Sequence, residues 1–175
     1  MTWETNVVAV GKEQAEGDLS VEIGADRVAK IVLPDPNWSG SADITFTAAD
    51  KEYATVSTTA RFTVKSVNDA PVLKQIPSQT IEEKNTFETI NLVDFVSDVD
   101  DATETLKWSV SGGKDLKVEL DKYGSANIIL PNENWSGPAE TFTFTVKDSK
   151  GATASSQATF TVKSINDAPE FVESI

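Results

Sequence analysis

The strongest constraint on this chain is a phrase that it contains twice. Phe62-Thr-Val-Lys-Ser-Val-Asn-Asp-Ala-Pro71 returns as Phe160-Thr-Val-Lys-Ser-Ile-Asn-Asp-Ala-Pro169, changed only where Val67 gives way to Ile165. The spacing is 98 residues, and at that offset residues 46–73 align with 144–171 without a gap, 16 of the 28 positions being identical. Upstream, residues 21–40 align with 118–137 at an offset of 97. That match pairs Leu33-Pro34 with Leu130-Pro131 and Asn37-Trp-Ser-Gly40 with Asn134-Trp-Ser-Gly137. A period this long exceeds a helical or leucine-rich solenoid unit and suits a string of whole domains, each with its own core.

Residues 70–168 read as one complete repeat. Apolar runs rich in Thr, Val, Ile and Phe recur at intervals of about ten residues, separated by turn residues. Val72 to Ile76 reads as an edge strand that Pro77 breaks and Thr80 to Glu83 resumes. Phe87 to Val93 reads as a second strand, and Leu106 to Val110 carries Trp108. Leu116 to Leu120 and Ala126 to Leu130 form a hairpin about Tyr123-Gly124. Thr141 to Val146 alternates in period two, which turns Phe142, Phe144 and Val146 inward and Thr141, Thr143 and Thr145 outward. Ala152 to Ile165 is the long final strand. No segment has a 3.6-residue period, so the expected architecture is all-β, with two antiparallel sheets per repeat.

Residues 1–69 match the last two-thirds of that unit. Trp3 corresponds to Trp108, with a longer loop around Gly11 to Gly17. Strands are expected over Leu19 to Ile23, Val28 to Leu33, Ala42 to Ala48 and Ser57 to Val67. Nothing before Trp3 corresponds to Val72–Leu106, so repeat 1 is expected to be incomplete on its N-terminal side. Residues 169–175 read as the start of a third repeat, and the chain is expected to belong to a longer array.

Composition narrows the function. The chain of 175 residues has no Cys and no His. It therefore offers no disulfide, no thiolate or imidazole metal ligand and no Cys nucleophile, and it lacks the commonest general base. Its net charge of −13 argues against nucleic acid and anionic membranes, whose recognition needs basic patches. No apolar run approaches the ~20 residues of a membrane span. Cations are the natural counterpart. Residues 94–104 hold Asp94, Asp98, Asp100, Asp101 and Glu104 without a base among them, a crowding that is unfavourable unless a cation or water screens it. Two readings are open: an acidic loop that keeps the chain soluble, or an all-oxygen site for a hard ion such as calcium.

The ordered motifs carry a resemblance. A Pro, then Asn-Trp-Ser-Gly, an alternating Phe/Thr strand, Asp-x-x-Gly and a final strand closing on Val-Asn-Asp-Ala-Pro resemble bacterial cadherin-like tandem repeats of large surface or secreted proteins. That resemblance implies tandem immunoglobulin/cadherin-like β-sandwiches, the first truncated, with calcium at the seam between repeats. It carries over to Asp98-Val-Asp100, which resembles the cadherin Asp-x-Asp motif, to Asp148 after the alternating strand, and to Asn68-Asp69 at the seam. Asp101 and Glu83 are weaker candidates, Glu83 beside Glu82 at the lower seam with Asn166-Asp167. The cadherin Asp-Arg-Glu segment of the preceding domain is replaced here by Asn37-Trp-Ser-Gly40. Affinity in the extracellular range of about 10⁻⁴–10⁻³ M is expected.

The tryptophans offer two readings as well. Trp108 reads as core. Trp38 and Trp135, each preceding Ser-Gly, either plug the end of a sandwich or offer a stacking platform for sugars. The expected function is a non-catalytic structural and adhesion repeat of an extracellular bacterial protein. Its partners would be neighbouring repeats and a homophilic, cell-surface or polysaccharide ligand, with no nucleic acid and no membrane insertion. The alternative is a carbohydrate-binding accessory module of a polysaccharide-degrading enzyme. The open edge left by missing strands invites pairing with another chain.

Overall fold

The computed structural model describes residues 2–10 and 19–169. The expected long loop around Gly11 to Gly17 and nearly all of the segment read as a third repeat lie outside them. The chain divides into two compact units, Met1–Val67 and Asn68–Ile175. Regular structure among the described residues is strand, apart from two single 3₁₀ turns. No helix there is long and apolar enough to cross a membrane.

The second unit is a sandwich of two main sheets. One orders β10 (Lys107–Gly112), β13 (Gly137–Lys147), β14 (Thr153–Lys163) and β7 (Gln79–Glu82), with β7 parallel to β14 and the other pairs antiparallel. The other orders β11 (Lys117–Leu120), β12 (Ser125–Ile129) and β8 (Ile90–Asn91). A two-residue ladder joins β6 (Val72–Leu73) to β9 (Val96–Ser97). Alternation drives the packing. Phe142, Phe144 and Val146 on β13 are buried, while Thr141 faces out and bonds across the sheet to Thr159, as Thr145 does to Ser155. Phe144, Phe160, Ile76 and Leu92 are fully enclosed at the centre of the core. Trp108 packs against this core and against a smaller cluster of Val96, Leu106 and Val146.

Two strands read from the sequence take a different form. The first edge run is laddered only at Val72–Leu73. Beyond it the Gln75 amide donates to Gln157 O and the Ile76 N–H to Ser156 Oγ, so the chain crosses from β9 to β14, and Pro77 stands at that crossing with no donor to lose. Phe87 to Val93 keeps only β8 and then winds into a 3₁₀ turn, Leu92–Phe95. Leu92 and Phe95 are three residues apart, the eclipsed spacing of such a turn, and both pack on the core.

The first unit repeats part of this plan. β1 (Thr2–Val10), β4 (Gly40–Ala49) and β5 (Thr55–Val64) form a sheet in that order, and β2 (Ser20–Ile23) pairs with β3 (Ala29–Val32). The backbone registers agree with the sequence alignment. Trp3 opposes Ala48 as Trp108 opposes Val146, and Ala49 opposes Thr55 as Lys147 opposes Thr153. Among the described residues of this unit, nothing corresponds to β6 through β9.

The change of alignment offset from 97 to 98 has a structural cause. In the first unit Gly40 opposes Val64 and Ala42 opposes Phe62. In the second, Gly137 opposes Val162 but Glu140 opposes Phe160, with a register shift between them. One extra residue on β13 makes a β-bulge, and Pro138 lies inside it, a place where a missing N–H is tolerated.

Candidate functional site: the acidic end of the second unit

Four carboxylates and one amide meet where β9 ends and the β13–β14 hairpin turns. Asp98 follows β9 directly. Its Oδ1 accepts the N–H of Asp100 at 2.8 Å and of Asp101 at 2.9 Å, a local turn that Asp adopts readily because its side chain reaches its own backbone two residues on. The turn aims Asp100 at the start of the unit, where its Oδ2 accepts the Asp69 N–H at 2.7 Å. It aims Asp101 the other way, where its Oδ2 accepts the Ser149 N–H at 2.9 Å. Next to Ser149, Asp148 Oδ2 accepts the Asn68 side-chain N–H at 2.7 Å. All five residues first named for the site, with Asp101, therefore belong to one hydrogen-bonded group.

Asp148 is 4% exposed. Its other oxygen accepts the N–H groups of Lys150, Gly151 and Ala152. The Asn68 amide is the main influence holding its carboxyl below the usual aspartate value. Burial pushes the other way, and the three hairpin N–H groups add to the lowering. Asp50, the twin of Asp148, makes the same kind of hairpin cap, accepting from Glu52 at 2.8 Å and Ala54 at 3.0 Å, but it is exposed. The cap is thus a property of the hairpin. The burial and the Asn68 partner are what distinguish the second unit.

Asp98 Oδ2 is the exception in this group. It is buried and has no hydrogen-bond partner. A carboxylate oxygen withdrawn from water without a donor is costly, and a bound water or a cation can offset that cost. The donor set of carboxylates and an amide suits a hard, oxygen-seeking ion. The side chains nevertheless spend oxygens on N–H groups rather than converging, and among the described residues no three acidic side chains stand at metal-binding distance.

The remaining acids lie apart from this group. Asp94 Oδ2 accepts the Asn91 amide, and Glu104 is exposed in the 3₁₀ turn Thr103–Thr105. Glu83 is buried, but its Oε1 accepts the Ile165 N–H and its own N–H donates to Lys163 O. That is the far end of β14 from Asp148. Lys84 pairs there with Asp167, whose hydrogen bond raises the lysine's pKa.

Sequence reasoning did not single out Glu140. It is 7% exposed, and its carboxylate accepts the N–H groups of Lys114, Asp115 and Leu116 at 2.6–3.2 Å. Burial alone would raise its pKa. The three N–H donors, helped by the Lys114 charge, outweigh it and leave the group lowered. The bulge at Pro138 sets the register that puts Glu140 in this place. Ala42, its twin, is simply core.

Trp38 is buried against Leu19 and Ala42, and Trp135 packs on the main core. Each ring lies on the glycine two residues on. A Cβ on Gly137 would stand 2.6 Å from Trp135 Cζ2, and one on Gly40 3.3 Å from Trp38 Cζ2.

Fold and register define an immunoglobulin/cadherin-like β-sandwich protein. The family model of the bacterial Ig domain matches residues 68–162, and the chain belongs to that family. No curated protein matches the sequence. Among solved structures, human mucin-like protocadherin EC1-2 is 16% identical with a TM-score of 0.54, covering 93% of this chain and 85% of that one. Cadherin domains 1–4 of protocadherin gamma B7 are 16% identical with a TM-score of 0.55, covering 95% and 42%. Drosophila N-cadherin EC1-4 is 17% identical with a TM-score of 0.51, covering 92% and 41%. The chain spans about two fifths of the latter two. At these identities the likeness is one of fold.

Proposed function

We propose that this chain is a non-catalytic structural and adhesion repeat of an extracellular bacterial protein, with calcium held by Asn68, Asp69, Asp98, Asp100 and Asp148 and assisted by Asp101. Residues 1–69 and 70–168 are the two repeats, and residues 169–175 open a third. In such an array the ion would order the Asn68-Asp69 connector and stiffen the string. The observation that carries the reading is the buried, unpartnered Asp98 Oδ2 inside this group of carboxylates. Calcium supplies positive charge there, and the chain's own side chains supply the oxygens. The inward packing of Trp38 and Trp135 on their glycines favours the plug over a sugar platform, so no retention on insoluble polysaccharide is expected. Glu83, at the opposite end of β14, would serve the Asn166-Asp167 side.

The test is a calcium titration followed by melting temperature and small-angle scattering. A site of about 10⁻³ M affinity at tenfold excess adds about 1.4 kcal/mol, a rise of roughly 5–10 °C for a domain of this size. Asp98→Asn keeps the Oδ1 acceptor for Asp100 and Asp101 but removes the charge. It should retain the metal-free melting temperature and lose the calcium response. An unchanged melt and scattering profile up to ~10 mM calcium, well above that affinity range, would sink the proposal.

A further inference from the structure

We propose that Lys84 is the built-in cation of the connector that follows β14: its ammonium holds Asp167 against the repeat's own end, so that Asn166-Asp167 docks there without calcium. The phrase Asn-Asp-Ala-Pro occurs at 68–71 and again at 166–169, and its two copies meet opposite ends of the second unit. The first copy meets acids. Asn68 bonds to Asp148 and the Asp69 N–H to Asp100, in the group where one Asp98 oxygen has no donor. The second copy meets a base, because Asp167 pairs with Lys84.

Local structure puts Lys84 in place. β7 ends at Glu82, and a turn follows in which the Asn85 N–H donates to Glu82 O at 3.2 Å. Lys84 has φ 70 in this turn, a left-handed backbone that glycine adopts at less cost. Its N–H donates to Glu133 O at 2.7 Å, which ties the turn to the segment before β13. Beside it, Glu83 is 5% exposed and its Oε1 accepts the Ile165 N–H at 2.6 Å. Adjacent residues thus grip the connector at two points, Glu83 through the backbone and Lys84 through a charge.

The same contacts make this end a poor calcium site. A hard divalent ion needs about six to eight oxygens turned toward it. Asp167 spends an oxygen on the ammonium, and Glu83 spends one on a backbone N–H. Asp167, Glu83 and Glu133 all favour the Lys84 charge, and a second cation among them would meet its repulsion. The two ends of one repeat therefore differ in kind: acids with an oxygen to spare at Asp98, and acids already matched by a lysine at Asp167. This inference goes beyond the calcium reading of the Asp98 end and does not rest on it.

The test uses the full chain, with per-residue amide shifts and hydrogen exchange read by NMR. Calcium up to ~10 mM, well above the extracellular affinity range, should leave Glu83, Ile165 and Asp167 without a saturable shift. Lys84→Met should speed exchange of the Ile165 N–H by about two- to fivefold, the range set by a partly exposed ion pair. Asp167→Asn should do the same, and the double variant should add nothing to either. Unchanged exchange at Phe144 checks that the sandwich stays folded. A saturable calcium shift at Asp167 in the unaltered chain, or Ile165 exchange that neither substitution moves, would overturn the proposal. With the exchange result in hand, a calcium response at Asp98 and Asp100 but not at Asp167 supports both readings, and a response at none of them sinks only the calcium reading.

Discussion

The Asn68 side-chain amide donates to Asp148 Oδ2 at 2.7 Å across 80 residues of chain. It joins the first residue of the second unit to the turn of that unit's last hairpin. It is also the leading reason that the Asp148 carboxyl stays ionised despite its burial. Asp50 has the same hairpin cap but stays exposed, so Asn68 is the element that makes an acid tolerable inside this end of the sandwich.

A pH dependence follows from that lowered pKa. A carboxyl whose native pKa lies below its unfolded value contributes stability that is complete above the unfolded value and is lost as pH falls through the native one. The melting temperature should therefore hold steady above about pH 5 and decline as the medium passes below the usual aspartate value near 4. Asn68→Ala should move the Asp148 titration upward, toward that ordinary value, in a carboxyl-carbon NMR titration, and should bring the decline to higher pH. An unmoved Asp148 titration in the variant would refute the role given to Asn68.

Glu140 gives a sharper stability prediction. Glu140→Ala leaves three N–H groups of the Lys114–Leu116 turn without their acceptor, a loss of about 3 kcal/mol. Glu140→Gln retains one oxygen and should lose less. Chemical denaturation of both variants decides the order. Hydrogen exchange should accelerate at Lys114, Asp115 and Leu116 before it does elsewhere.

The contrast between Glu140 and Phe144 shows what could be read from the chain alone. Phe144 belongs to an alternating run, and period two puts it inside whatever sheet forms. The repeat likewise gave the register of Trp3 from Trp108, because equal spacing along two like strands leaves little choice. Glu140 belongs to no pattern. Its partners are backbone groups 24 to 26 residues earlier, and its position depends on a bulge whose only trace in the sequence is the alignment offset changing by one. Leu92–Phe95 escaped for a related reason: a single 3₁₀ turn is too short to establish a period against the strand-forming residues around it. At the acidic end, the resemblance to cadherin-like repeats, and no spacing rule, named Asp98, Asp100 and Asp148 as one group. That their oxygens bind N–H groups, and that Asp98 Oδ2 binds none, is a matter of rotamers.

Gly137 tests the packing of the tryptophan plug. Its side-chain hydrogen faces the Trp135 ring, and a methyl there would intrude to 2.6 Å from Cζ2, against 3.3 Å at the Gly40–Trp38 pair. Gly137→Ala should destabilise the second unit by about 1–3 kcal/mol, the usual cost of overpacking, and shift Trp emission toward the red as the ring is pushed outward. Gly40→Ala should perturb Trp38 less through contact, since a few tenths of an ångström would relieve it.

The last prediction concerns a stabilising change. Tyr53 has φ 66 in the β4–β5 turn, and its twin in the β13–β14 turn is Gly151, with φ 102. A left-handed backbone costs a side-chain-bearing residue roughly 1–2 kcal/mol. Tyr53 gains nothing in exchange through packing, being 89% exposed. Glycine adopts the conformation freely but loses more entropy on folding, which offsets about half of the gain. Tyr53→Gly should therefore stabilise the first unit by roughly 0.5–1 kcal/mol, the net of these two effects. The reverse change, Gly151→Tyr, should destabilise the second unit by a similar amount. Thermal melts of the two variants should move in opposite directions, and a fall in stability for Tyr53→Gly would show that the phenol ring contributes more than its exposure implies.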